Sequence, residues 1–310
     1  MYIFESIFPI VAISALAYFL ARKCFLQEKE ILGLEKITFN FLIPCMLFVG
    51  ASTASLPESM DWGLLWGYYL PVLVMYLLGM LMAWLGFKMS QKTQAVVGMG
   101  CAYPNVTILG IPICLELLGE AAFVPIFIIV SIHNLLIFSF GIIVAEARDQ
   151  ENRALGEHLW HVLKQVLRNP ISGSLLIGII VNLASIPLYQ PIFSALELLA
   201  RGAVPAALLT LGAGLTRYKI RGDLGLAMWI VGLKLLVLPA LVWCLTVFVF
   251  EMPYIWSQTA VLLSAMPVGI SVYVFAIRYR CCENLAASTI VLSCVMSVFT
   301  VSFFAYILGI

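Results

Sequence analysis

The amino-acid sequence predicts an all-α polytopic membrane protein, and three observations support that prediction. The 310 residues are 63% hydrophobic and only 11% charged, whereas a soluble domain carries roughly 25% charged residues. Ten apolar segments follow one another along the chain, each near the about 20 residues with which a helix crosses a bilayer core. The net charge of +1 gives no indication of nucleic-acid binding.

The ten predicted spans are followed by loops whose charges alternate. The spans lie at 3–21, 37–56, 62–87, 94–115, 121–146, 170–187, 192–215, 224–250, 256–277 and 285–309. Loops after odd-numbered spans hold fifteen of the seventeen Lys and Arg residues, and loops after even-numbered spans hold acidic residues instead. Because basic loops stay in the cytoplasm, we expect both termini outside, in a plasma membrane such as a bacterial inner membrane.

The longest loop, at 147–169, divides the chain into two halves of five predicted spans, 1–146 and 170–310. Its apolar residues recur at helical spacing beside basic ones, which predicts a short amphipathic helix on the cytoplasmic surface, either a connector or a regulatory segment. Five is an odd number, so the second half must enter the membrane from the opposite side. We therefore predict two inverted five-helix repeats.

Proline-centred stretches interrupt spans 4 and 9, at 103–112 (YPNVTILGIP) and 266–275 (MPVGISVYVF). Lipid offers no hydrogen-bond partners, so unwound backbone at membrane depth is tolerated only where protein encloses it or where it lines a cavity. Breaks at matching positions of two inverted halves predict that helices 4 and 9 cross at a binding site. The predicted substrate-binding residues are Pro104, Asn105, Thr107, Gly110, Pro112, Pro267, Gly269 and Ser271.

The helix ends at these breaks predict the charge of the ligand. Each break exposes the positive, N-terminal end of a half-helix, which favours an anion, although neighbouring carbonyl ends oppose part of that field. Asn105 can bind a carboxylate or simply cap the half-helix that follows it. Unwound carbonyls with the Asn105 and Ser271 oxygens can also hold sodium. No metal or other cofactor is predicted, since the eight cysteines have neither zinc nor haem spacing.

Charged and polar residues inside the spans are few, so each is a candidate for function. Lys234, near the middle of span 8, can neutralise carbonyl ends at the crossing or attract the substrate. Glu197 and Arg201 are four residues apart in span 7, which favours a static pair or a role in proton coupling. His133 and Asn134 in span 5 are either a proton relay or hydrogen-bonded packing groups.

These motifs resemble those of the auxin efflux carrier family. The stretch PNVTILGIP at 104–112 is similar to the family's fourth-helix motif, and AMPVGISVYVFAIRY at 265–279 is similar to its ninth-helix motif. Ser271 stands where many bacterial members have Asn, and Val268 where plant members have Gln, so the second half of the site is less polar here. The short central loop resembles that of the bacterial or short-loop members.

The resemblance implies a homodimer formed through a scaffold domain of helices 1, 2, 6 and 7. It also implies a transport domain of helices 3–5 and 8–10 that moves like an elevator, with substrate contacts at Asn105, Pro104 and Pro267. Bacterial relatives are associated with malonate and malate, and plant relatives export auxin, so a carboxylate substrate is implied.

We therefore predict a secondary active transporter of a small organic anion, coupled to protons, to sodium or to neither. The alternative is a ligand-gated channel or a membrane sensor that uses the same crossing without carrier turnover. An enzyme is not predicted, because the sequence has none of the motifs for bound metal, diphosphate or a nucleophilic serine.

Overall fold

In a computed structural model, the described residues (2–54, 62–146, 170–218, 220 and 222–310) are all-helical and contain no strand. The helices are α1 (Tyr2–Arg22), α2 (Glu28–Thr53), α3 (Trp62–Leu85), α4a (Gln91–Ala102), α4b (Val106–Leu118), α5 (Glu120–Glu146), α6 (Pro170–Leu183), α7 (Gln190–Leu215), α8 (Leu224–Val249), α9a (Tyr254–Ala265), α9b (Ser271–Tyr279) and α10 (Glu283–Ile307). The amphipathic helix predicted at 147–169 lies outside the described residues.

Each of the ten predicted spans coincides with one helix or with a pair of half-helices. Within the described ranges, six helices are long and apolar enough to cross a membrane: α2, α3, α5, α7, α8 and α10. The start of α2 differs from the prediction, because the amphipathic segment Glu28–Ile37 continues the helix before the apolar stretch. That all ten cross the membrane, and that the two halves are inverted repeats, stay predictions.

Wide, π-helical turns interrupt three helices in the same way, and a fourth such turn, at Cys244–Val249, ends α8. The first three occupy Thr38–Leu42, Val106–Gly110 and Leu233–Val237, and each lies just before a proline, at Pro44, Pro112 and Pro239. A proline has no backbone N–H to donate and its ring crowds the turn before it, so that turn widens. Two of these turns carry predicted site residues, Thr107 and Lys234, which fits the frequent occurrence of such turns at functional sites.

The helices pack in two groups. In the first, α1 lies along the second half of α7, and α2 packs against α6 and the first half of α7. A glycine allows this approach, because a Cβ at Gly178 of α6 would lie only 2.8 Å from the Phe48 carbonyl oxygen of α2. In the second group, α3 and α5 pack against α4a, and α8 and α10 pack against each other and against α9a.

The most deeply buried part of the second group surrounds the two broken helices. Residues 95–102 at the end of α4a and residues 257–265 at the end of α9a are all buried. A helix that is buried on every side has neighbours all around it, unlike an amphipathic surface helix. The core therefore centres on the two breaks.

Candidate functional site

The two breaks meet as a pair of short antiparallel segments. The Asn105 N–H donates to the Pro267 carbonyl at 2.8 Å, and the Gly269 N–H donates to the Tyr103 carbonyl at 2.9 Å. These two bonds form an isolated antiparallel bridge between the interrupted helices. Each break thereby supplies backbone partners that the other lost on leaving the helix, as burial away from water requires. The predicted meeting of the breaks is present in the structure.

Asn105 organises the first break. Its Oδ1 accepts a hydrogen bond from the Ile108 N–H at 3.2 Å, and its carbonyl accepts from the N–H groups of Leu109 and Gly110. The residue is only 5% exposed, yet none of the described residues forms a hydrogen bond with its Nδ2. The side chain therefore caps α4b with one atom and presents an unused donor with the other.

The second break is held by side chains from other helices. Lys234 of α8 is fully buried, and its Nζ donates to the carbonyls of Ser264 at 2.6 Å and Met266 at 2.8 Å. The Val268 N–H donates to Ser293 Oγ of α10 at 3.0 Å. Lys234 thus lies at the carbonyl end of α9a, where it neutralises backbone carbonyls, which is the first of the two roles considered for it from the sequence.

Two glycines set how closely the crossing packs. A Cβ at Gly110 would lie 2.7 Å from Leu263 Cδ2, and a Cβ at Gly269 would lie 2.6 Å from the Tyr103 ring. The Tyr103 and Ser271 side chains form a hydrogen bond. Gly269 and Ser271 therefore act on Tyr103, one by leaving room for its ring and the other by binding its hydroxyl.

His133 lies against this crossing, and sequence reasoning missed its two aromatic neighbours. The ring centre of His133 is 4.8 Å from that of Tyr103 and 6.0 Å from that of Tyr68. Among the described residues, no hydrogen-bond partner is found for either ring nitrogen of His133 or for the Tyr68 hydroxyl. A tyrosine within an apolar span is a signal that could have revealed them, because a buried hydroxyl requires a partner. The side chain of Asn134 lies outside the described part of the chain.

Glu197 and Arg201 lie away from the crossing, on the first half of α7. The segment Gln190–Arg201 has no buried residue. The two side chains form no ion pair with each other, since a shared helix face permits such a pair but does not hold exposed side chains together. The ion pairs that the structure describes are Arg217–Glu35 at 3.0 Å and Arg278–Glu146 at 3.9 Å.

Three polar side chains at the crossing are closed to solvent. Asn105, His133 and Lys234 are each 5% exposed or less, whereas Thr107 and Ser271 are partly exposed. A cleft of about 370 Å³ lies elsewhere, where α2, α6 and the start of α7 meet, and Asn182 and Gln190 contribute to its lining. A ligand can therefore reach the three buried side chains only after the helices around them move.

The sequence is similar along its length to proteins that are named as transporters. A family model described as "Membrane transport protein" matches residues 2–305. A Rhizobium meliloti (strain 1021) protein named "Putative malonate transporter" is 27% identical over 214 residues, which are 68% of this chain and 66% of that protein, just under two thirds of its length. A Methanothermobacter thermautotrophicus protein named "Uncharacterized transporter" is 22% identical over 310 residues, 98% of each chain.

Proposed function

The chain belongs to the membrane transport protein family of the auxin efflux carriers, and we propose that it is a secondary active transporter of a small organic anion, with a carboxylate as its substrate. The observation that carries this proposal is the buried Asn105 amide at the crossing of two broken helices, whose Nδ2 finds no partner among the residues that the structure describes. A buried donor without a partner suits a ligand that only accepts hydrogen bonds, and a carboxylate is such a ligand.

The charges around the crossing support an anion. The N-terminal ends of α4b and α9b contribute positive ends of helix dipoles. The opposing carbonyl end of α9a receives two hydrogen bonds from Lys234 Nζ. This contact offsets the negative end of α9a, so the positive ends of the two following half-helices dominate the field at the breaks.

The polarity of the site supports an acid of modest polarity. Asn105 contributes an amide to the first break, whereas Val268 and Ser271 of the second break contribute a buried apolar side chain and a hydroxyl already bonded to Tyr103. One carboxylate therefore finds donors at the crossing more readily than two do. Malonate remains the first dicarboxylate to test, because the name of one relative contains it.

The engaged oxygens favour proton coupling, or no coupling, over sodium. The Asn105 Oδ1 accepts from the Ile108 N–H, and the Ser264 and Met266 carbonyls accept from Lys234. Sodium requires several free oxygen ligands, because it is a hard cation. Uptake that depends on sodium would contradict this part of the proposal.

The proposed mechanism is an elevator, in which α3–α5 and α8–α10 move as a transport domain against a scaffold of α1, α2, α6 and α7. The packing of the helices in these same two groups supports it. So do the buried side chains at the crossing, because movement of the whole group would open the site to one side and then to the other.

We further propose a plasma-membrane location, with both termini outside and 147–169 in the cytoplasm, from the charges of the loops.

A homodimer through the scaffold is part of the proposal. In a single chain, Glu197 and Arg201 of α7 lie on a segment without buried residues. Charged groups at membrane depth are costly when they face lipid. A second copy packed on the first half of α7 would remove both from lipid. Light scattering of the purified protein in detergent would give a dimer's mass if this is right and a monomer's mass if it is wrong.

Counterflow in proteoliposomes tests the transport proposal. Vesicles are loaded with unlabelled malonate, malate or benzoate, and entry of the same labelled acid is followed against protein-free vesicles. A carrier gives saturable entry that the unlabelled acid inside accelerates. Entry without such acceleration would indicate a channel, and binding without entry would indicate a sensor; either result contradicts the proposal.

A further inference from the structure

Four polar atoms around the crossing are buried and have no hydrogen-bond partner within the described part of the chain. They are Tyr68 Oη, Asn105 Nδ2, and both ring nitrogens of His133. The three residues come from α3, from the break of α4 and from α5, and each is 5% exposed or less. Burying such an atom unpaired is costly. The Tyr68 and His133 rings are 6.0 Å apart, and Asn105 lies two residues after Tyr103, whose ring is 4.8 Å from that of His133. This arrangement indicates a ligand that satisfies the four atoms together.

The chemistry of this set matches a carboxylate accompanied by a proton. The Asn105 Nδ2 is a donor only, and the Tyr68 hydroxyl can donate. A neutral imidazole has one donor and one acceptor nitrogen, whereas a protonated imidazole has two donors. All four atoms therefore donate only when His133 is protonated, and a carboxylate is the anion that such a donor set and such a charge would bind.

The groups that face His133 decide whether the protein itself supplies a negative charge to balance a protonated imidazole. On α3 these groups are Tyr68 and Tyr69, and the Tyr69 hydroxyl donates to the Ile129 carbonyl at 2.7 Å. At the α4 break the group is Tyr103, which is bonded to Ser271.

Two further titratable groups complete this surrounding. Lys234 of α8 lies within electrostatic range of His133, and Cys114 of α4b lies within range of Tyr68. On α5 itself, Glu146 accepts a hydrogen bond from the Tyr279 hydroxyl at the far end of the helix. Among the described residues, no carboxylate faces the His133 ring. An imidazolium there would be buried and unpaired, which is costly, unless a bound anion accompanies it.

We propose that His133 takes up one proton when the substrate carboxylate binds, so that anion and proton cross the membrane together. The proton enters on a ring nitrogen of His133, the carboxylate stays ionised, and both leave on the other side. Each turnover then moves one negative charge less than the anion alone carries. This inference rests on the proposed function, and Tyr68, Asn105 and His133 are its binding residues.

The ratio of protons to anions in the wild-type protein tests the proposal directly. Proteoliposomes that contain a pH indicator receive external malonate, malate or benzoate, whichever the counterflow experiment identifies as a substrate, and protein-free vesicles correct for leak of the free acid. We expect one proton to enter with each anion, and an imposed gradient, acidic outside, to drive accumulation. Anion entry without proton entry would overturn the proposal.

A glutamine at position 133 supplies the matched variant, since its amide donates and accepts hydrogen bonds but does not titrate. Wild-type counterflow should rise as the pH falls, because His133 takes up a proton together with the anion. For His133→Gln we expect counterflow about 10-fold lower, in keeping with a lost charge-assisted hydrogen bond, and no longer dependent on pH. The imposed gradient should then drive no accumulation of the anion.

Two outcomes separate the inference from the proposed function. If the wild-type protein shows no counterflow with any acid, the transport proposal itself fails. If it shows counterflow, but His133→Gln keeps the wild-type pH dependence and accumulates the anion in the gradient, the role of His133 fails alone. Tyr68→Phe removes one hydroxyl and no titrating nitrogen, so it should raise the KM about 10-fold while proton entry per anion stays at the wild-type value.

Discussion

The breaks in α4 and α9 share a backbone geometry and differ in how their polar groups are satisfied. At the α4 break, Asn105 caps the following half-helix from within the same segment and keeps Nδ2 unused. At the α9 break, the polar groups are engaged from outside, by Lys234 of α8 and Ser293 of α10. One break therefore has a group to offer a ligand, whereas the other is fixed in place by its neighbours.

This difference shows that matching backbones in two halves of a chain need not carry equal functions. Lys234 and Ser293 hold the α9 segment in a defined position, against which the α4 segment and its Asn105 are aligned by the two bridging hydrogen bonds. Substitutions at the α9 break should therefore act first on stability, and substitutions of Asn105 should act first on transport.

Replacing Lys234 should have the largest effect. In Lys234→Met the carbonyls of Ser264 and Met266 lose a shared donor, and two buried acceptors without partners cost about 1–3 kcal/mol each. The free energy of unfolding should fall by about that sum, and thermal unfolding in detergent measures it. Lys36→Met, at an exposed position, is the control for the same chemical change. Unchanged stability with lost uptake would instead indicate that Lys234 contacts the anion.

Replacing Asn105 should lower transport strongly and stability only modestly. Asn105→Ala removes the cap and the free donor, whereas Asn105→Ser keeps a capping oxygen and lacks the amide nitrogen. We expect counterflow to fall about 10- to 100-fold in both, as for a hydrogen bond to a charged group. Only the alanine variant should also lose about 1 kcal/mol of stability. Full transport by the serine variant would show that Nδ2 does not bind the substrate.

Adding a methyl group at Gly269 should disturb the position of Tyr103. The new Cβ would lie 2.6 Å from the Tyr103 ring, and overpacking of this kind costs about 1–3 kcal/mol. Gly214→Ala in α7 adds the same atom where no heavy atom lies within 4 Å, so it serves as the control. Melting temperature and counterflow should both fall for Gly269→Ala alone. If the two variants have the same melting temperature and counterflow, the crossing tolerates a wider separation between position 269 and the Tyr103 ring.

Removing the Ser293 hydroxyl should have the smallest of these effects. Ser293→Ala leaves the buried Val268 N–H without its acceptor, at a cost of about 1 kcal/mol. The Ser297 hydroxyl donates to a carbonyl of its own helix at 2.9 Å, just as the Ser293 hydroxyl does, and makes no other described hydrogen bond. Ser297→Ala is therefore the matched control. If both variants melt at the same temperature, the bond to Val268 adds nothing to the stability of the break.

The sequence was sufficient to locate the breaks, because Pro104 and Pro267 interrupt apolar segments in which lipid tolerates no unpaired backbone. It was also sufficient to predict that they meet, since the loop charges gave the two segments opposite directions. Glu197 and Arg201 show what residue spacing cannot predict. They share one face of α7, but a shared face does not by itself hold two side chains together as an ion pair.

The side chains that complete the crossing could not be predicted in the same way. Ser293 is one of four serines in α10, and nothing in the spacing distinguishes it from the others. Tyr68 and His133 approach Tyr103 only because of how α3 and α5 rotate about their axes, and those long apolar helices have no polar face that would fix the rotation from sequence. The widened turns before Pro44, Pro112 and Pro239 could not be predicted from proline alone, since Pro71 lies inside the regular α-helix Trp62–Leu85.

The bridge between the breaks also constrains the order in which this protein is made. On the proposed topology, the Asn105 N–H and the Tyr103 carbonyl enter the membrane long before Pro267 and Gly269, which pair with them in the bridge, have left the ribosome. Until then the first break would have unpaired polar backbone in a medium without water. The newly made first half is therefore incomplete by itself and open to chaperones or proteolysis, until insertion of the second half closes the bridge and commits the chain to its fold.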